Sequence, residues 1–464
     1  MLTEHITKID SSIFRAYDIR GIVGETLTVE AVHALGKAIG SLALEGGEQS
    51  LIIGRDGRLS GPSLSQALCE GVLTTGCDVV DLGIVPTPLL YYATHVLPSR
   101  SGVMLTGSHN PANYNGLKIV INGKALAESE IQNLRLRISE GSYLHGKGQW
   151  RQFDITELYI QNVCQNVTLK KPLKIVVDCA NSVPGMIVPE LYRQLGCEVF
   201  SLFCEVDGNF PNHHPDPSQA ENLQDLIQKV REVDADLGLA FDGDGDRLGI
   251  VTKKGDIIWP DRQMMLFAKA ILEKTPGAKI IYDVKCTNHL AAVIKEHGGE
   301  PIMWKTGHSL IKSKLVETGA LLAGEMSGHI FIKDRWYGFD DAIYAGARFL
   351  EILSAESKNI DELFEAIPDS VNTPELKIFV TDNEKFDLME KLIASADFHD
   401  AEDINTIDGL RVNYSDGWGL VRLSNTTPCL VLRFEADSEK VLTKIQNIFR
   451  EFLLAAEPAL ELPF

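Results

Sequence analysis

The chain of 464 residues has no apolar run that approaches the ~20 residues needed by a membrane-spanning helix. Its eight cysteines include no C-x-x-C pair, and the 44 Lys and Arg residues are outnumbered by 64 Asp and Glu. These absences predict a protein of a reducing compartment, the cytoplasm, with no membrane partner. The net charge of −20 also disfavours nucleic acid, because an acidic surface repels phosphates. A phosphate-bearing substrate would need a cleft in which basic residues are concentrated.

Two catalytic signatures are missing as well. There is no G-x-x-x-x-G-K-[ST] loop, so a kinase with the common ATP-binding loop is not supported. No G-x-S-x-G elbow surrounds the serine of TGSHNP, which makes an ordinary Ser-His hydrolase a poor fit. The composition itself is that of a globular protein, with 44% apolar and 23% charged residues, and the length suggests about three or four domains.

Short strands rich in Val and Ile alternate with helical patterns as far as about residue 370, which predicts α/β layers with a largely parallel core. The tail differs and predicts a smaller α+β domain with an antiparallel sheet. Its expected elements are a strand (375–380), a helix (384–396), strands at 410–415, 418–423 and 429–434, and a helix (438–455). The predicted domains span residues 1–150, 151–256, 257–368 and 369–464.

One local pattern occurs three times in the first 370 residues. An apolar strand ends in a polar, glycine-containing loop, and a second apolar strand follows directly. The loops are TGSHNP (106–111), DGDGDR (242–247) and GEMSGH (324–329). We interpret them as the ligand loops of three related α/β units, because such loops lie beyond the carboxyl ends of strands.

The DGDGDR loop indicates a metal site. Asp242, Asp244 and Asp246 alternate with glycines that allow unusual backbone angles, so three carboxylates can converge on one hard cation. The spacing resembles an EF-hand loop, but Arg247 and Lys253 stand where that loop needs Gly and Glu. Three oxygen ligands without others nearby suit Mg²⁺, which keeps positions open for a phosphate oxygen. An ordinary turn is the alternative, since Asp-Gly pairs are common turn material.

The TGSHNP loop permits two interpretations. Ser108 is a nucleophile or phosphoryl carrier with His109 beside it, or Thr106 and Ser108 merely cap a turn. In GEMSGH, Glu325, Ser327 and His329 alternate, so an extended segment would place all three on one side. A carboxylate, a hydroxyl and an imidazole suit the hydroxyls of a sugar, with ordinary loop polarity as the alternative.

The tail contributes RLSNTTP (422–428), in which an arginine fork is combined with neutral donors. This set suits a phosphate that is bound but not transferred, with a hairpin turn as the alternative. Further candidates lie near the chain start or at strand ends, and they are Arg15, Tyr17, Arg20, Arg55, Arg58, Lys285 and His308. Lys118 lies within the apolar strand that follows the TGSHNP loop. For Arg55 and Arg58, an internal pair with Asp56 is the competing interpretation.

Taken together, a serine, a magnesium site, a hydroxyl-reading loop and a second phosphate site fit a phosphosugar mutase. A phosphoserine gives its phosphoryl group to one end of a sugar monophosphate, the bisphosphate turns over, and the other phosphate returns to the serine. Lys118 and Arg20 would stabilise the charge-rich transition state, and His109, His329 and Lys118 remain alternative acids or bases. A Mg²⁺-dependent phosphatase and a catalytically silent sugar-phosphate binder are the competing hypotheses.

The four loops, in this order, resemble the α-D-phosphohexomutase superfamily over essentially the whole chain, and specifically its bacterial phosphomannomutase/phosphoglucomutase branch. The resemblance implies three similar mixed-sheet α/β domains and a TATA-binding-protein-like α+β domain around a central cleft. It implies transfer between the 1- and 6-positions of mannose or glucose phosphates, with hexose 1,6-bisphosphate as intermediate and activator. Phosphoglucosamine mutases are the alternative, but they usually carry S-x-SHNP and GEQSGH.

The resemblance also implies residue roles and the organisation of the four domains. In chain order, the domains would carry the phosphoserine, the metal, the sugar-recognition loop and the distal phosphate. The implied catalytic residues are Ser108, His109, Lys118, Arg20 and His329. The implied metal ligands are Ser108, Asp242, Asp244 and Asp246, with Arg247 beside them. The implied substrate contacts are Tyr17, Lys285, His308, Glu325, Ser327, His329, Arg422, Ser424, Asn425, Thr426 and Thr427. The expected binding partner is a hexose phosphate, and the protein is expected to be a monomer. The roles of Trp336 and Tyr337 stay open.

Overall fold

The computed structural model describes residues 9–424 and 427–464, which form four units, each built on one sheet. The first sheet has the strand order β1-β5-β4-β2-β3-β7, with β6 paired to β5. Its unit comprises β1 (Ile19–Ile22), α1 (Val29–Glu45), β2 (Ser50–Arg55), α2 (Gly61–Leu73), β3 (Asp78–Ile84), α3 (Thr87–Val96), β4 (Gly102–Leu105), β5 (Tyr114–Ile121), β6 (Lys124–Ala125), α4 (Ser129–Glu140) and β7 (Trp150–Gln152).

The second and third units repeat the arrangement with fewer strands, in the orders β12-β11-β10-β8-β9 and β14-β13-β15-β16. The second comprises α5 (Thr156–Asn166), β8 (Lys174–Asp178), α6 (Val188–Gln194), β9 (Glu198–Leu202), α7 (Gln224–Glu232), β10 (Leu237–Phe241), β11 (Leu248–Thr252) and β12 (Ile257–Ile258). The third comprises α8 (Pro260–Leu272), β13 (Lys279–Asp283), α9 (Asn288–Glu296), β14 (Glu300–Trp304), α10 (His308–Thr318), β15 (Leu322–Gly324), β16 (Ile330–Ile332), α11 (Ala342–Ala355) and α12 (Ile360–Glu365).

The strand-loop-strand repeat predicted from the sequence is confirmed. In each of the first three sheets the strand before the loop lies parallel to a neighbour and antiparallel to the strand that follows the loop. The three pairs are β4–β5, β10–β11 and β15–β16. Each sheet is therefore mixed, and all three polar loops leave the carboxyl end of a strand with parallel partners.

The fourth unit has the predicted antiparallel sheet, in the order β17-β22-β21-β20-β19 with β18 paired to β22. Its elements are β17 (Val371–Asn372), β18 (Leu376–Phe379), α13 (Asp382–Ala394), β19 (Asp403–Asn405), β20 (Leu410–Tyr414), β21 (Gly417–Leu423), β22 (Cys429–Ala436) and α14 (Glu439–Ala456). The helix expected to begin at residue 384 begins at 382, because Thr381 and Glu384 form a capping box.

The first three units share one hydrophobic cluster, whereas the fourth has its own. Trp336 lies in the shared cluster and stacks on Tyr92 and Tyr344, with ring centroids 5.8 and 4.1 Å apart. The fourth unit meets the third through the fully buried Trp418, whose ring lies 3.8 Å from the guanidinium carbon of Arg411. Across residues 9–424 and 427–464, no helix has both the length and the apolar character to cross a membrane.

Candidate active site

The loops after β4, β10 and β15 meet between the first three units. Leu248 N donates to Gly328 O at 3.1 Å, which joins the second loop to the third. The first and second loops touch so closely that a Cβ at Gly243 would lie 2.1 Å from the carbonyl oxygen of Ser108. Only glycine permits this approach, and it brings Ser108 against the carboxylates of DGDGDR.

Ser108 is buried, and its hydroxyl donates to Asp242 Oδ2 at 2.9 Å. Its φ of 48° lies in the left-handed region that is uncommon for serine. The conformation is held because Ser108 N donates to Thr106 Oγ1 at 2.8 Å, and Thr106 Oγ1 donates to Asp56 Oδ2 at 2.7 Å. The loop thus fixes the serine hydroxyl toward the acidic cluster.

Arg58 fixes the same loop through hydrogen bonds to its backbone. Its guanidinium donates to the carbonyl oxygens of Ser108, Asn110 and Tyr114 at 2.7, 2.6 and 3.0 Å. Its Nε lies 3.2 Å from Asp56 Oδ2. The internal pair that the sequence left open is therefore present, and Arg58 supports the loop as a structural residue.

The three carboxylates Asp242, Asp244 and Asp246 are fully buried, and one oxygen of each lies within 4.8 Å of the others. Asp242 Oδ1 accepts from the backbone N–H groups of Gly245, Asp246 and Arg247 at 3.0, 3.0 and 3.1 Å, which orients it. Burial and the neighbouring carboxylates Asp246 and Asp244 raise the pKa of Asp242 well above its ordinary value. The crowding is that of a site built for a cation.

The donor set fits a divalent metal ion. Asp244 Oδ1 and Asp246 Oδ1 are buried and have no hydrogen-bond partner among the described residues. Buried carboxylate oxygens without partners are costly unless they bind a cation. All the oxygens are hard ligands, the kind that Mg²⁺ prefers, and Ser108 Oγ lies at their edge.

Lys118, on β5, reaches the same carboxylates. Its Nζ donates to Asp244 Oδ2 at 2.7 Å and also to Asp246 Oδ2. Burial alone would lower the pKa of Lys118, but the two carboxylates outweigh it and raise that pKa well above its ordinary value. Lys118 is therefore a permanent positive charge in the cluster.

Both ring nitrogens of His109 contact residues other than Ser108. Its Nδ1 lies 3.1 Å from Asp216 Oδ2, and its Nε2 accepts from Arg247 at 3.2 Å. Burial and the Arg247 charge lower the pKa of His109 to about 3, so the ring is neutral at neutral pH. Its geometry links the serine loop to Arg247.

His329 lies between the acidic loop and the third unit. Arg247 Nε donates to its Nε2 at 3.1 Å. Since an arginine only donates, the neutral ring must carry its proton on Nδ1. That atom faces Asp246 Oδ1 at 3.5 Å and Asp340 Oδ2 at 3.4 Å. His329 is thus a buried imidazole whose proton is oriented by two carboxylates.

Two other candidates flank this group. The ring of His308 lies 5.6 Å from that of His329, and the Tyr17 ring meets His308 edge-on at 5.2 Å. Burial, with Lys312 next in importance, lowers the pKa of His308 well below its ordinary value, so it is neutral. Arg20 forms an ion pair with Asp18 at the start of the first unit.

The GEMSGH loop differs from the sequence expectation. Residues 325–328 form a turn rather than an extended segment, because Gly328, at φ +100°, donates its N–H to Glu325 O at 3.0 Å. The extended segment expected from the alternation is therefore replaced by a turn. Glu325 is buried, and its Oε1 accepts from Gly307 N at 2.6 Å. Ser327 lines a small cavity with Trp259.

The fourth unit carries Arg422, which is already paired. Its Nε and Nη2 donate to the two oxygens of Asp408 at 3.0 and 3.3 Å. Asp408 Oδ2 also accepts from Thr306 N in the third unit at 2.9 Å. A cavity of ≈ 320 Å³ lies here between the first, third and fourth units, lined in part by Tyr17 and Leu423.

The remaining predicted substrate contacts of the third and fourth units are Lys285 and the residues of the RLSNTTP loop. Lys285 Nζ donates to Glu375 Oε1 at 2.5 Å. Ser424 Oγ and Thr427 Oγ1 share a hydrogen bond of 2.8 Å. Asn425 and Thr426 lie outside the described residues.

Several residues that complete the site lie outside the four motif loops. Asp216 orients His109, Asp340 faces His329, and Asp408 pairs with Arg422. Asp340 also receives a hydrogen bond from Lys312 at 2.8 Å. Each partner comes from another part of the chain, so spacing gave no sign of the contact. Paired acidic residues before a helix, as in GFDDA, are a weak signal that could have drawn attention to Asp340.

Comparison with known proteins identifies this arrangement. The chain matches four consecutive sequence families, described as Phosphoglucomutase/phosphomannomutase alpha/beta/alpha domains I (residues 11–144), II (157–255) and III (259–371) and C-terminal domain (375–452). It is 56% identical over 464 residues to a phosphomannomutase/phosphoglucomutase of Pseudomonas aeruginosa, covering 100% of both chains. It is 53% identical over 448 residues to a phosphoglucomutase of Neisseria gonorrhoeae, covering 96% of this chain and 97% of the other.

A solved structure agrees. A phosphoglucomutase/phosphomannomutase family protein from Burkholderia thailandensis matches with a TM-score of 0.95 and 52% identity, covering 98% of this chain and 100% of that one. Fold and site together define a hexose-phosphate mutase, which is an isomerase. The chain belongs to the phosphoglucomutase/phosphomannomutase family, as the four motif loops indicated.

Proposed function

We propose that the protein interconverts the 1- and 6-phosphates of mannose and glucose by way of a phosphorylated Ser108 and a hexose 1,6-bisphosphate. The observation that carries this proposal is the Ser108 hydroxyl, 2.9 Å from Asp242 within a cluster of three buried carboxylates. A hydroxyl in that position can carry a phosphoryl group whose charge a divalent cation offsets. Arg422, in a separate unit, would bind the phosphate that is not being transferred in place of its present partner Asp408.

In the first half-reaction a hydroxyl of the bound sugar attacks the phosphorus of phosphoserine, and the Ser108 oxygen leaves. The sugar hydroxyl loses its proton and the Ser108 oxygen regains one, so the products are a hexose bisphosphate and free Ser108. After the bisphosphate turns over, its other phosphate returns to Ser108 by the reverse step. Free hexose 1,6-bisphosphate loads an unphosphorylated enzyme and acts as activator.

Mg²⁺ held by Asp242, Asp244, Asp246 and the Ser108 oxygen would offset the charge of the transferred group. Lys118 lies in hydrogen-bond contact with two of these carboxylates and adds a fixed positive charge. Transfer passes through a loose, charge-rich transition state, so positioning and cations account for most of the catalysis.

Proton transfer is assigned to His329. Arg247 holds its Nε2, and Asp246 and Asp340 face its Nδ1, so the ring is oriented. Its Nε2 would accept a proton once Arg247 turns to the phosphate, and would then release it. His109 is a positioning residue, because its two ring nitrogens are engaged by Asp216 and Arg247. Arg247, which contacts His109 and His329 beside the cluster, and Arg20 would neutralise phosphate charge.

Substrate recognition uses side chains of the third and fourth units together with Tyr17 of the first. Glu325 and Ser327 contact sugar hydroxyls, assisted by Tyr17, Lys285 and His308. The distal phosphate is held by the RLSNTTP loop, with Arg422, Ser424, Asn425, Thr426 and Thr427 as donors. We further propose that the protein is cytoplasmic and works as a monomer. Light scattering at working concentration tests the monomeric state.

The test is a side-by-side assay with the 1-phosphates of glucose, mannose and glucosamine, in Mg²⁺ and glucose 1,6-bisphosphate, followed by ³¹P NMR. We expect 6-phosphates from glucose and mannose with no free phosphate. Net phosphate release without isomeric product would establish the phosphatase instead. Turnover confined to glucosamine 1-phosphate would establish the phosphoglucosamine mutase.

A further inference from the structure

Two cysteines of the second unit face each other outside the carboxylate cluster. Cys179 follows β8 and Cys204 follows β9, which are parallel neighbours in one sheet. Their sulfurs lie 3.5 Å apart, and both are free thiols. A disulfide needs an S–S distance of about 2.05 Å, so the sulfurs would have to approach by about 1.5 Å.

The two thiols are not equivalent. Cys179 is fully buried, whereas Cys204 is only partly buried. The hydrogen bond with Cys179 lowers the pKa of Cys204, while burial raises the pKa of Cys179. Cys204 is the more exposed of the two and the thiolate is the form that reacts with oxidants, so Cys204 reacts first and Cys179 resolves the product.

The pair lies next to a direct connection to the acidic loop. Ser182 Oγ lies within hydrogen-bond distance of the carbonyl oxygen of Cys179 and, at 3.1 Å, of that of Asp242. The segment after Ser182 packs closely against Cys204, since a Cβ at Gly185 would lie 2.0 Å from the carbonyl oxygen of Cys204. A movement of Cys179 that displaced Ser182 would therefore act on the backbone of Asp242.

A second connection leads to the serine loop. Asn181 donates its side-chain N–H to Glu205 O at 3.0 Å and accepts from Asp207 N at 2.8 Å, which fixes the segment after Cys204. That segment continues to Asp216, which holds His109 beside Ser108. The cysteine pair is thus connected to both the acidic loop and the serine loop.

We propose that Cys179 and Cys204 are a redox modification site, where a hydroperoxide forms a reversible disulfide that slows the enzyme. The Cys204 thiolate attacks a peroxide oxygen, and hydroxide leaves, which gives a sulfenic acid. The sulfur of Cys179 attacks that of Cys204, and the expelled hydroxide takes the Cys179 proton as water. Two thiols lose two electrons, hydrogen peroxide becomes two waters, and a dithiol reverses the bond.

The disulfide itself does not depend on the proposed function, whereas the loss of activity does. A displacement of about 1 Å at a catalytic loop can lower a rate by about 10²-fold, so we expect oxidation to reduce mutase activity about ten-fold or more. Dithiothreitol should restore it.

The experiment uses the full chain, reduced and then treated with hydrogen peroxide, alkylated, digested and mapped by mass spectrometry. We expect a peptide pair joined through Cys179 and Cys204 and an intact mass lower by two hydrogen atoms. Cys204→Ser is the main variant, since a half-buried position tolerates it, and its activity should resist peroxide. Cys164→Ser is the matched control, because Cys164 is also half-buried but contacts Gln194 at 4.0 Å rather than a thiol.

Absence of that linked peptide would overturn the modification site, as would a disulfide that survives in Cys204→Ser through another cysteine. A linked peptide with unchanged activity would overturn the regulatory half of the proposal. The activity of the reduced protein is measured first. If it is nil, the proposed function has failed, and peptide mapping still decides the disulfide.

Discussion

The two ends of the candidate site differ in their charge balance. At the inner end, three carboxylates face a single lysine, Lys118, and two carboxylate oxygens have no partner among the described residues. At the outer end, two of the predicted phosphate-binding cations are already paired, since Arg422 pairs with Asp408 and Lys285 with Glu375. The inner end is preorganised for a cation, while a phosphate arriving at the outer end must compete with protein carboxylates.

The packing of the units follows the same division. The units that supply the inner end share one hydrophobic cluster, and backbone hydrogen bonds join their loops. The fourth unit has a separate core and meets the third through Trp418 and polar pairs. Changes at the inner end should therefore lower the rate of chemistry, and changes at the outer end should alter substrate affinity and interdomain stability.

The largest effect is expected from the cation at the inner end. Removal of divalent metal with a chelator, or Asp246→Asn, should lower kcat about 10³-fold, because the charge on the transferred group is no longer offset. Steady-state kinetics and metal analysis check this, and Mg²⁺ should rescue the chelated enzyme but not the variant. Full activity of the metal-free protein would show that the carboxylates serve another purpose.

The next effect is that of His329→Gln. Loss of an oriented acid or base should lower kcat about 10²-fold and leave KM nearly unchanged. The exposed His145→Gln is the matched control, and it should behave as wild type. Comparable kcat values for both variants would remove His329 from proton transfer.

Arg422→Ala should act on the other end of the comparison. The loss of a charged hydrogen-bond donor costs about 1.5–3 kcal/mol of substrate binding, so KM should rise about ten-fold or more while kcat falls less. Exposed Arg135→Ala serves as the control. If KM stayed unchanged, the distal phosphate would have to bind elsewhere than at Arg422.

The smallest effect concerns the Lys285–Glu375 pair between the third and fourth units. Lys285 lowers the pKa of Glu375 to about 2, so the pair stabilises the protein fully above pH 4.5, and its contribution disappears as the pH falls toward 2. Glu375 is 38% exposed, which reduces the expected contribution to about 1 kcal/mol.

Glu375→Gln should therefore lower the apparent Tm by about 2 °C at neutral pH, and the difference from wild type should shrink as the pH falls below 4.5. Scanning calorimetry of wild type, Glu375→Gln and the exposed control Glu402→Gln measures it. A difference that widens in acid would contradict the sign of the pKa shift.

The comparison also shows what the sequence could reveal. The three strand-loop-strand units and the four loops were predictable, because each is encoded by consecutive residues whose periodicity and polarity are local. The contacts that orient them were not. His109 and Asp216 are 107 residues apart, and no spacing rule joins such positions before the chain folds. Gly328 misled the prediction for GEMSGH, since its positive φ closes a turn that alternation alone does not indicate.

The central claim is that Ser108 carries the phosphoryl group, and a single-turnover experiment tests it most directly. Enzyme phosphorylated with ³²P is mixed with unlabelled glucose 1-phosphate and analysed for label on the Ser108 peptide and on sugar. We expect label on Ser108 before mixing and its transfer to glucose bisphosphate and glucose 6-phosphate afterwards, with none on Ser108→Ala. Label on any other residue, or product formation by Ser108→Ala at the wild-type rate, would contradict the phosphoserine mechanism.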